Sequence, residues 1–218
     1  MTSVTLIADQ GELRIERVVT TGTFSLDGGT WDVENNVWLV GSDDEVIVID
    51  AAHDANRISD GVGGRDVAAI VCTHGHDDHI NAAVALADAV CAPVLLHPAD
   101  EELWRSVHGD ATYLPIVDGQ RIGFAGTEIT VVHTPGHSYG SVCLYMPDIG
   151  TLFSGDTLFA GGPGATGRSY SDFPTIIGSI RDRILALPDD TQVHPGHGES
   201  TTVGNEAPSM DHWITRGH

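Results

Sequence analysis

The apolar run Val67-Ala68-Ala69-Ile70-Val71-Cys72 passes directly into Thr73-His74-Gly75-His76-Asp77-Asp78-His79. A buried strand ending in four metal-capable side chains, His74, His76, Asp78 and His79, restricts the fold, because such groups cannot be buried unpaired without a large cost. Extended backbone points residues two apart the same way, so His74 and His76 can grip one cation together. If a helix starts here, as the Ala-rich residues 80–90 suggest, Asp78 and His79 diverge by roughly a hundred degrees and can hold a second cation nearby. The cluster therefore predicts a two-metal site whose remaining ligands come from elsewhere in the chain.

The surroundings read as alternating strands and helices. Residues 13–20 alternate, residues 37–40 and 46–49 flank Gly41-Ser42-Asp43-Asp44 as a hairpin, and residues 67–72 form a buried strand. A helix over 80–90, a strand over 93–96 and a helix over 99–107 complete the first half. In the second half, residues 129–133, 142–146 and 151–153 read as strands, followed by a Gly-rich loop. A helix over 173–187 then carries Ile176, Ile177, Ile180 and Ile184 on one face, with Asp172 as N-cap and Pro188 as stop. Strand meanders with interspersed helices predict an α+β class, with two sheets packed together and helices outside. With 218 residues and no linker or low-complexity tract, a single domain over 1–218 is expected.

Composition removes several function classes. There are 31 acidic residues against ten basic ones, all arginine, for a formal charge of −21. That field repels nucleic acid and anionic membrane, and the lack of lysine excludes Schiff-base and P-loop chemistry. No apolar run of membrane-spanning length occurs, and Met1-Thr2-Ser3-Val4 has no basic leader character, so a cytoplasmic location is expected. Cys72, Cys91 and Cys143 lack C-x-x-C spacing and read as core residues of a reducing compartment.

Three further candidate ligands each follow a strand at a sharp turn: His137 in Thr134-Pro135-Gly136-His137, Asp156 in Phe153-Ser154-Gly155-Asp156, and His197 in His194-Pro195-Gly196-His197. Glycine and proline turn the backbone beside a site while the strand end holds the side chain in place. A sensible division gives His74, His76 and His137 to one metal and Asp78, His79 and His197 to the other, with Asp156 bridging. Imidazole and carboxylate donors suit two divalent ions, Zn²⁺ first and Fe or Mn as alternatives, with positions open for water. Asp77 is read as facing solvent or supporting a neighbour. His53, His97, His108, His133, His194, His212 and His218 read as packed or surface residues. Gly162-Pro163-Gly164-Ala165-Thr166-Gly167 matches G-x-G-x-x-G, but no helix opens on its third glycine, so it is not read as a dinucleotide site.

The full H-x-H-x-D-H signature at His74 to His79, followed in order by His137, Asp156 and His197, resembles the metallo-β-lactamase fold superfamily. The resemblance implies a four-layered αββα sandwich with the site at the sheet edge. Lactamases of this fold commonly carry a cysteine near the place of Asp156, so antibiotic hydrolysis is not the favoured activity. Gly155-Asp156-Thr157-Leu158-Phe159 and the following glycines are more similar to the glyoxalase II group. That group places Lys-x-Tyr after the loop to hold glutathione, and Arg168-Ser169-Tyr170 has comparable spacing, which makes Arg168 and Tyr170 candidate substrate-binding residues. The group's C-terminal helical domain has no counterpart in the roughly 20 residues after His197, so the resemblance points to the small glyoxalase II-like hydrolases.

The leading expectation is hydrolysis of a thioester or related acyl ester by a hydroxide bridging two metal ions, with Asp78 and Asp156 as the catalytic carboxylates. The expected partner is a small acyl-thiol or ester. Persulfide dioxygenases, which share the fold and use one iron, are the alternative, and lactone or phosphodiester hydrolysis is a third, disfavoured for nucleic acids by the charge of −21. A non-catalytic metal-dependent binding module requires the open coordination positions to be blocked.

Overall fold

A computed structural model describes residues 3–217; Met1, Thr2 and His218 lie outside the described residues. Seven strands follow one another across the first sheet: β1 (Val4–Gln10), β2 (Leu13–Leu26), β3 (Gly29–Gly41), β4 (Glu45–Ile49), β5 (Asp66–Val71), β6 (Val94–Leu96) and β7 (Leu114–Pro115). β1 to β4 pair antiparallel and β4 to β7 parallel. Parallel neighbours need crossovers, and helices supply them: α1 (Ala55–Val62), α2 (Asp77–Ile80) with α3 (Ala83–Val90), and α4 (Glu101–His108).

The second sheet contains β8 (Arg121–Phe124), β9 (Thr127–His133), β10 (Val142–Met146) and β11 (Thr151–Gly155). A short ladder of β12 (Leu158–Phe159) and β13 (Gly162–Pro163) follows, then α5 (Phe173–Ser179). β14 (Gln192–Pro195) returns parallel to β11, and β15 (Thr201–Thr202) closes that edge. α6 (Val203–Glu206) and α7 (Met210–Arg216) end the chain's described elements.

The period of two along each strand builds the layers. Val37 and Leu39 of β3, with Ile70 of β5, pack against Ile58, Leu86 and Trp104 of the outer helices. Their neighbours Trp38, Val40 and Val71 face the other way, onto Val131, Leu144 and Phe153 of the second sheet. On that sheet's far side Cys143, Leu152 and Val193 meet Ile176, Ile180, Ile184 and Trp213. Three apolar seams therefore separate four layers, α, β, β and α, as the alternation predicts.

Three local expectations change. The helix expected over 80–90 breaks at Asn81 and Ala82 and begins earlier, at Asp77, where the Ala82 N–H donates to the Ala51 carbonyl at 3.1 Å and the Asp78 carbonyl accepts from Asn35 Nδ2 at 2.9 Å in place of the helical bond. The helix expected over 173–187 is α-helical only to Ser179 and widens to a π turn over Ile180–Ile184. The strand expected over 13–20 continues to Leu26 and pairs with β3 down to Leu26↔Gly29. Its tip is the two-residue turn Asp27-Gly28, with φ of 52° and 78°, a left-handed pair that matches the twist of a hairpin. The Thr, Gly and Ser residues of this half-exposed segment hide the strand from an apolar-pattern reading.

Cys72 and Cys143 are buried as expected, but Cys91 is exposed. It caps α3 in the left-handed conformation, φ 55°, which turns its side chain out of the core.

Candidate metal centre

Four strand ends open onto one edge between the sheets. β5 delivers His74 and His76, α2 delivers Asp78 and His79 from its first turn, and the loops after β9, β11 and β14 deliver His137, Asp156 and His197. The seven side chains, although 61 residues apart for His76 and His137 and 118 for His79 and His197, meet within hydrogen-bonding range.

They form two groups. His74, His76 and His137 make one cluster of convergent donor atoms, and Asp78, His79 and His197 make the other. In the second, His79 Nε2 is 3.2 Å from His197 Nε2, and Asp78 Oδ2 is 3.5 and 3.3 Å from those nitrogens. Ligands about 2.0–2.1 Å from a tetrahedral cation stand roughly 3.3 Å apart, so this triangle has the size of one face of such a polyhedron. Asp156 Oδ2 lies 3.3 Å from His197 Nε2 and 3.6 Å from His137 Nε2, facing both groups.

The hydrogen bonds on the outer ring nitrogens set the tautomers. His79 Nδ1 donates to the Asp50 carboxylate at 2.9 Å, His137 Nδ1 to the Ala165 carbonyl at 2.8 Å, and His197 Nδ1 to the Glu34 carbonyl at 2.6 Å. Thr73 Oγ1 donates to Asp50 at 2.8 Å and so accepts from His74 Nδ1 at 3.1 Å. In the neutral form each of these four rings presents an Nε2 lone pair inward, whereas His76 meets His137 Nε2 through its Nδ1 at 3.0 Å. In their neutral forms His79 and His197 aim lone pairs at each other, and buried His74 Nε2 and Asp156 Oδ1 have no hydrogen-bond partner. A donor set of lone pairs and carboxylates, buried and mutually repulsive, fits a cation between its members.

Electrostatics divide the two halves. Burial holds His74 well below the usual imidazole range and His76 down to about 3, so these rings stay neutral. At His197 burial alone would lower the value, but the Asp156 and Asp78 carboxylates outweigh it and raise it to about 10; His79 moves the same way, against burial, through Asp156, Asp78 and Asp50. Burial likewise opposes ionisation of Asp78, yet His79, His197 and Asn35 hold it near 2. One half is an imidazole nest and the other an anionic socket.

Asp77 does support a neighbour: its carboxylate accepts the Ser25 N–H at 3.0 Å, tying α2 to the β2–β3 hairpin. That hairpin roofs the site. Phe24 lies 5.1 Å from the His76 ring, and Arg168 stacks its guanidinium 3.9 Å from the Trp31 ring centroid and 5.5 Å from that of Phe24. Phe24, Val33, Phe159, Ala165 and Arg168 enclose a cleft of about 160 Å³ over the ligand-type side chains. Tyr170 does not line it; the ring rests on Tyr139 at 5.8 Å, in a backbone conformation with φ 69°. A larger groove of about 490 Å³ beside Val84, Ala87 and Tyr113 contains no histidine, so size does not locate the chemistry.

Among the other histidines, His97 and His133 stack on each other at 4.2 Å away from the cluster, and His194 is buried against Trp38 and Phe153. His108 bonds the Ile80 carbonyl, while His218 lies outside the described residues. Sequence reasoning missed Asp50, Asn35, Phe24 and Trp31. Asp50 had a signal: it ends the apolar run 46–49 as His74 and His76 follow the run 67–72. Asp100 was also missed; its buried carboxylate accepts from Gly75 N, Gly140 N and Ser138 Oγ and joins the two loops that carry His76 and His137.

Comparisons with known proteins agree with this geometry. A Bacillus subtilis protein named "Probable metallo-hydrolase YqgX" is 31% identical over 80% of this chain and 90% of its own length. The hydroxyacylglutathione hydrolase of Aeromonas salmonicida is 32% identical over 75% of this chain and 61% of that enzyme. Among solved structures, TTHA1623 in a di-iron-bound form superposes with a TM-score of 0.74 at 33% identity, covering 80% of this chain and 93% of that one. The B3 metallo-β-lactamase BLEG-1 superposes with a TM-score of 0.70 at 28% identity over 87% and 97%. No helix among the described residues is long and apolar enough to cross a membrane. Residues 30–197 match the metallo-beta-lactamase superfamily, and with the sandwich and the His/Asp cluster at its edge, the chain belongs to that superfamily of metal-dependent hydrolases.

Proposed function

We propose that this chain hydrolyses small thioesters or related acyl esters with two divalent cations, Zn²⁺ first among the candidates and Fe or Mn next. His74, His76 and His137 would hold one cation, Asp78, His79 and His197 the other, and Asp156 would bridge. The observation that carries this reading is the place of Asp156 Oδ2, 3.3 and 3.6 Å from nitrogens of the two groups. Its carboxylate stands where a thiolate would otherwise make a site of different affinity and reactivity.

When bound, such cations supply a Lewis acid for the acyl carbonyl and bring the pKa of a water to about 7. The chain's own residues do the rest. Asp78, held ionised by His79, His197 and Asn35, would hold the second cation and could also accept a proton from that water. Phe24, Val33 and Phe159 form apolar walls that keep bulk water from the acyl group. Arg168, at the rim and stacked on Trp31, can pair an anionic group on the thiol portion. Tyr170 would act only on substrate reaching beyond the cleft. The reading adopts a single domain and a small-molecule partner, neither nucleic acid nor membrane, in the cytoplasm.

Elemental analysis of the purified protein, paired with a hydrolysis panel that varies the thiol and includes a lactone and a β-lactam, tests the proposal. Two metals per chain with thioester turnover support it. Asp156→Ala should lose metal and activity together, and a fully metallated, active variant would refute the bridging role. One iron per chain with oxygen uptake on a thiol persulfide would replace hydrolysis with the dioxygenase reading.

A further inference from the structure

Beside the cation cluster runs a hydrogen-bond chain whose polarity is forced from one backbone donor. The His53 N–H can only donate, so the atom it meets at 2.6 Å, Asn81 Oδ1, is the carboxamide oxygen. Asn81 Nδ2 then donates to His53 Nδ1 at 3.1 Å, which leaves the proton of the neutral ring on Nε2. That Nε2–H donates to Asn35 Oδ1 at 2.8 Å. The amide orientation of Asn35 is therefore determined: its Nδ2 donates to Asp78 Oδ2 at 3.1 Å and to the Asp78 carbonyl at 2.9 Å.

The chain is built at a cost. His53 sits at φ 64°, a left-handed conformation disfavoured for side-chain-bearing residues, and its ring lies so close to β2 that a Cβ on Gly22 would stand 2.2 Å from His53 Nδ1. Asn35 is fully buried. A carboxamide does not pass protons along as an imidazole does, so the chain terminates in orientation, not proton transfer. At its end is the oxygen of Asp78 that also faces His79 and His197.

Resting on the two-cation reading above, we propose that Asn35, locked in one orientation by His53 and Asn81, is a positioning residue that aims Asp78 at the second cation. It acts on the Asp78, His79 and His197 half and leaves the three-histidine half alone. Aligned partners of metal ligands are typically worth about 10–100-fold in metal affinity, and that is the expected size here.

The test is stepwise titration of the metal-free full chain with Zn²⁺ and Co²⁺ against a competing chelator, with thermal melts of the metal-free protein alongside. Asn35→Asp keeps the shape and reverses the polarity toward Asp78. It should weaken the second binding step about 10–100-fold while the first step holds, and the drop in the metal-free melt from two buried carboxylates meeting is read separately. His53→Ala, which frees Asn35 to flip, should weaken the same step, and His53→Gln, with an amide acceptor and donor, should restore part of it. Equal weakening of both steps, or no change in either, would overturn the proposal. If His53→Ala tracks the melting temperature and His53→Gln gives no recovery, the role is merely structural and the proposal fails. Two equivalents bound without any thioester turnover would overturn the substrate reading alone.

Discussion

Asp50→Asn isolates how much one oxygen atom of the scaffold contributes to holding a ligand. Asp50 is fully buried and accepts three hydrogen bonds: from Thr73 N at 2.7 Å, Thr73 Oγ1 at 2.8 Å and His79 Nδ1 at 2.9 Å. The asparagine carboxamide has the same shape but only one acceptor oxygen. With the oxygen toward Thr73 N, the NH₂ meets the His79 Nδ1–H, and the ring must shift its proton to Nε2, the atom that points into the cluster. With the amide reversed, two donors face each other at Thr73 N. The loss is a buried, charge-assisted hydrogen bond of about 1.5–3 kcal/mol. At 1.4 kcal/mol per factor of ten, that corresponds to roughly 10–100-fold in affinity for the cation held by His79, in line with the typical effect of such partners. In the metal-free protein the same loss should lower the melting temperature by about 3–12 °C. Competitive Zn²⁺ titration and calorimetric melting read the two effects separately. A folded Asp50→Asn protein whose second-step affinity stays within twofold of the parent would refute the tautomer argument.

Two other expectations follow from the site. In the absence of cations His197, raised to about 10, and His79, raised in the same direction, carry protons at pH 7, so loading their half must release protons; the affinity of that step should climb from pH 6.5 toward 10 and fall on acidification, whereas the His74, His76 and His137 step, with His76 near 3, should stay flat across the same range. Calorimetric titration in buffers of different ionisation enthalpy measures the protons, and equal release in both steps contradicts the division of the centre. Gly196→Ala would place a Cβ 2.4 Å from Asp156 Oδ1 and 2.6 Å from His79 Cε1, so it should cost about 1–3 kcal/mol of stability and reduce metal content; a variant with unchanged melting and full metal would show that this close approach is not required.

The unbroken apolar runs 37–40 and 46–49 already read as strands covered on both faces, and H-x-H-x-D-H after a buried run already points to a cation. Both are local statements, carried by apolar patterning and by the cost of burying unpaired polar groups, and both are present before any contact is made. Asp50 and Asn35 are different. Asp50 shares its place after an apolar run with the histidine cluster, but nothing local names its partner, and nothing adjacent to Asn35 distinguishes it from any strand asparagine. They acquire roles only when β3 and β4 are paired beside β5, which sets Asn35 against Asp78, 43 residues away, and Asp50 against His79, 29 residues away. The same long-range packing draws the Ala82 N–H to the Ala51 carbonyl where the expected helix breaks and brings the Asp27-Gly28 hairpin over Arg168. Local pattern thus specified the elements and the ligand types. Which groups orient those ligands, and what roofs them, was decided by strand pairing across the sheets, because a hydrogen bond's direction depends on a partner the local chain does not contain.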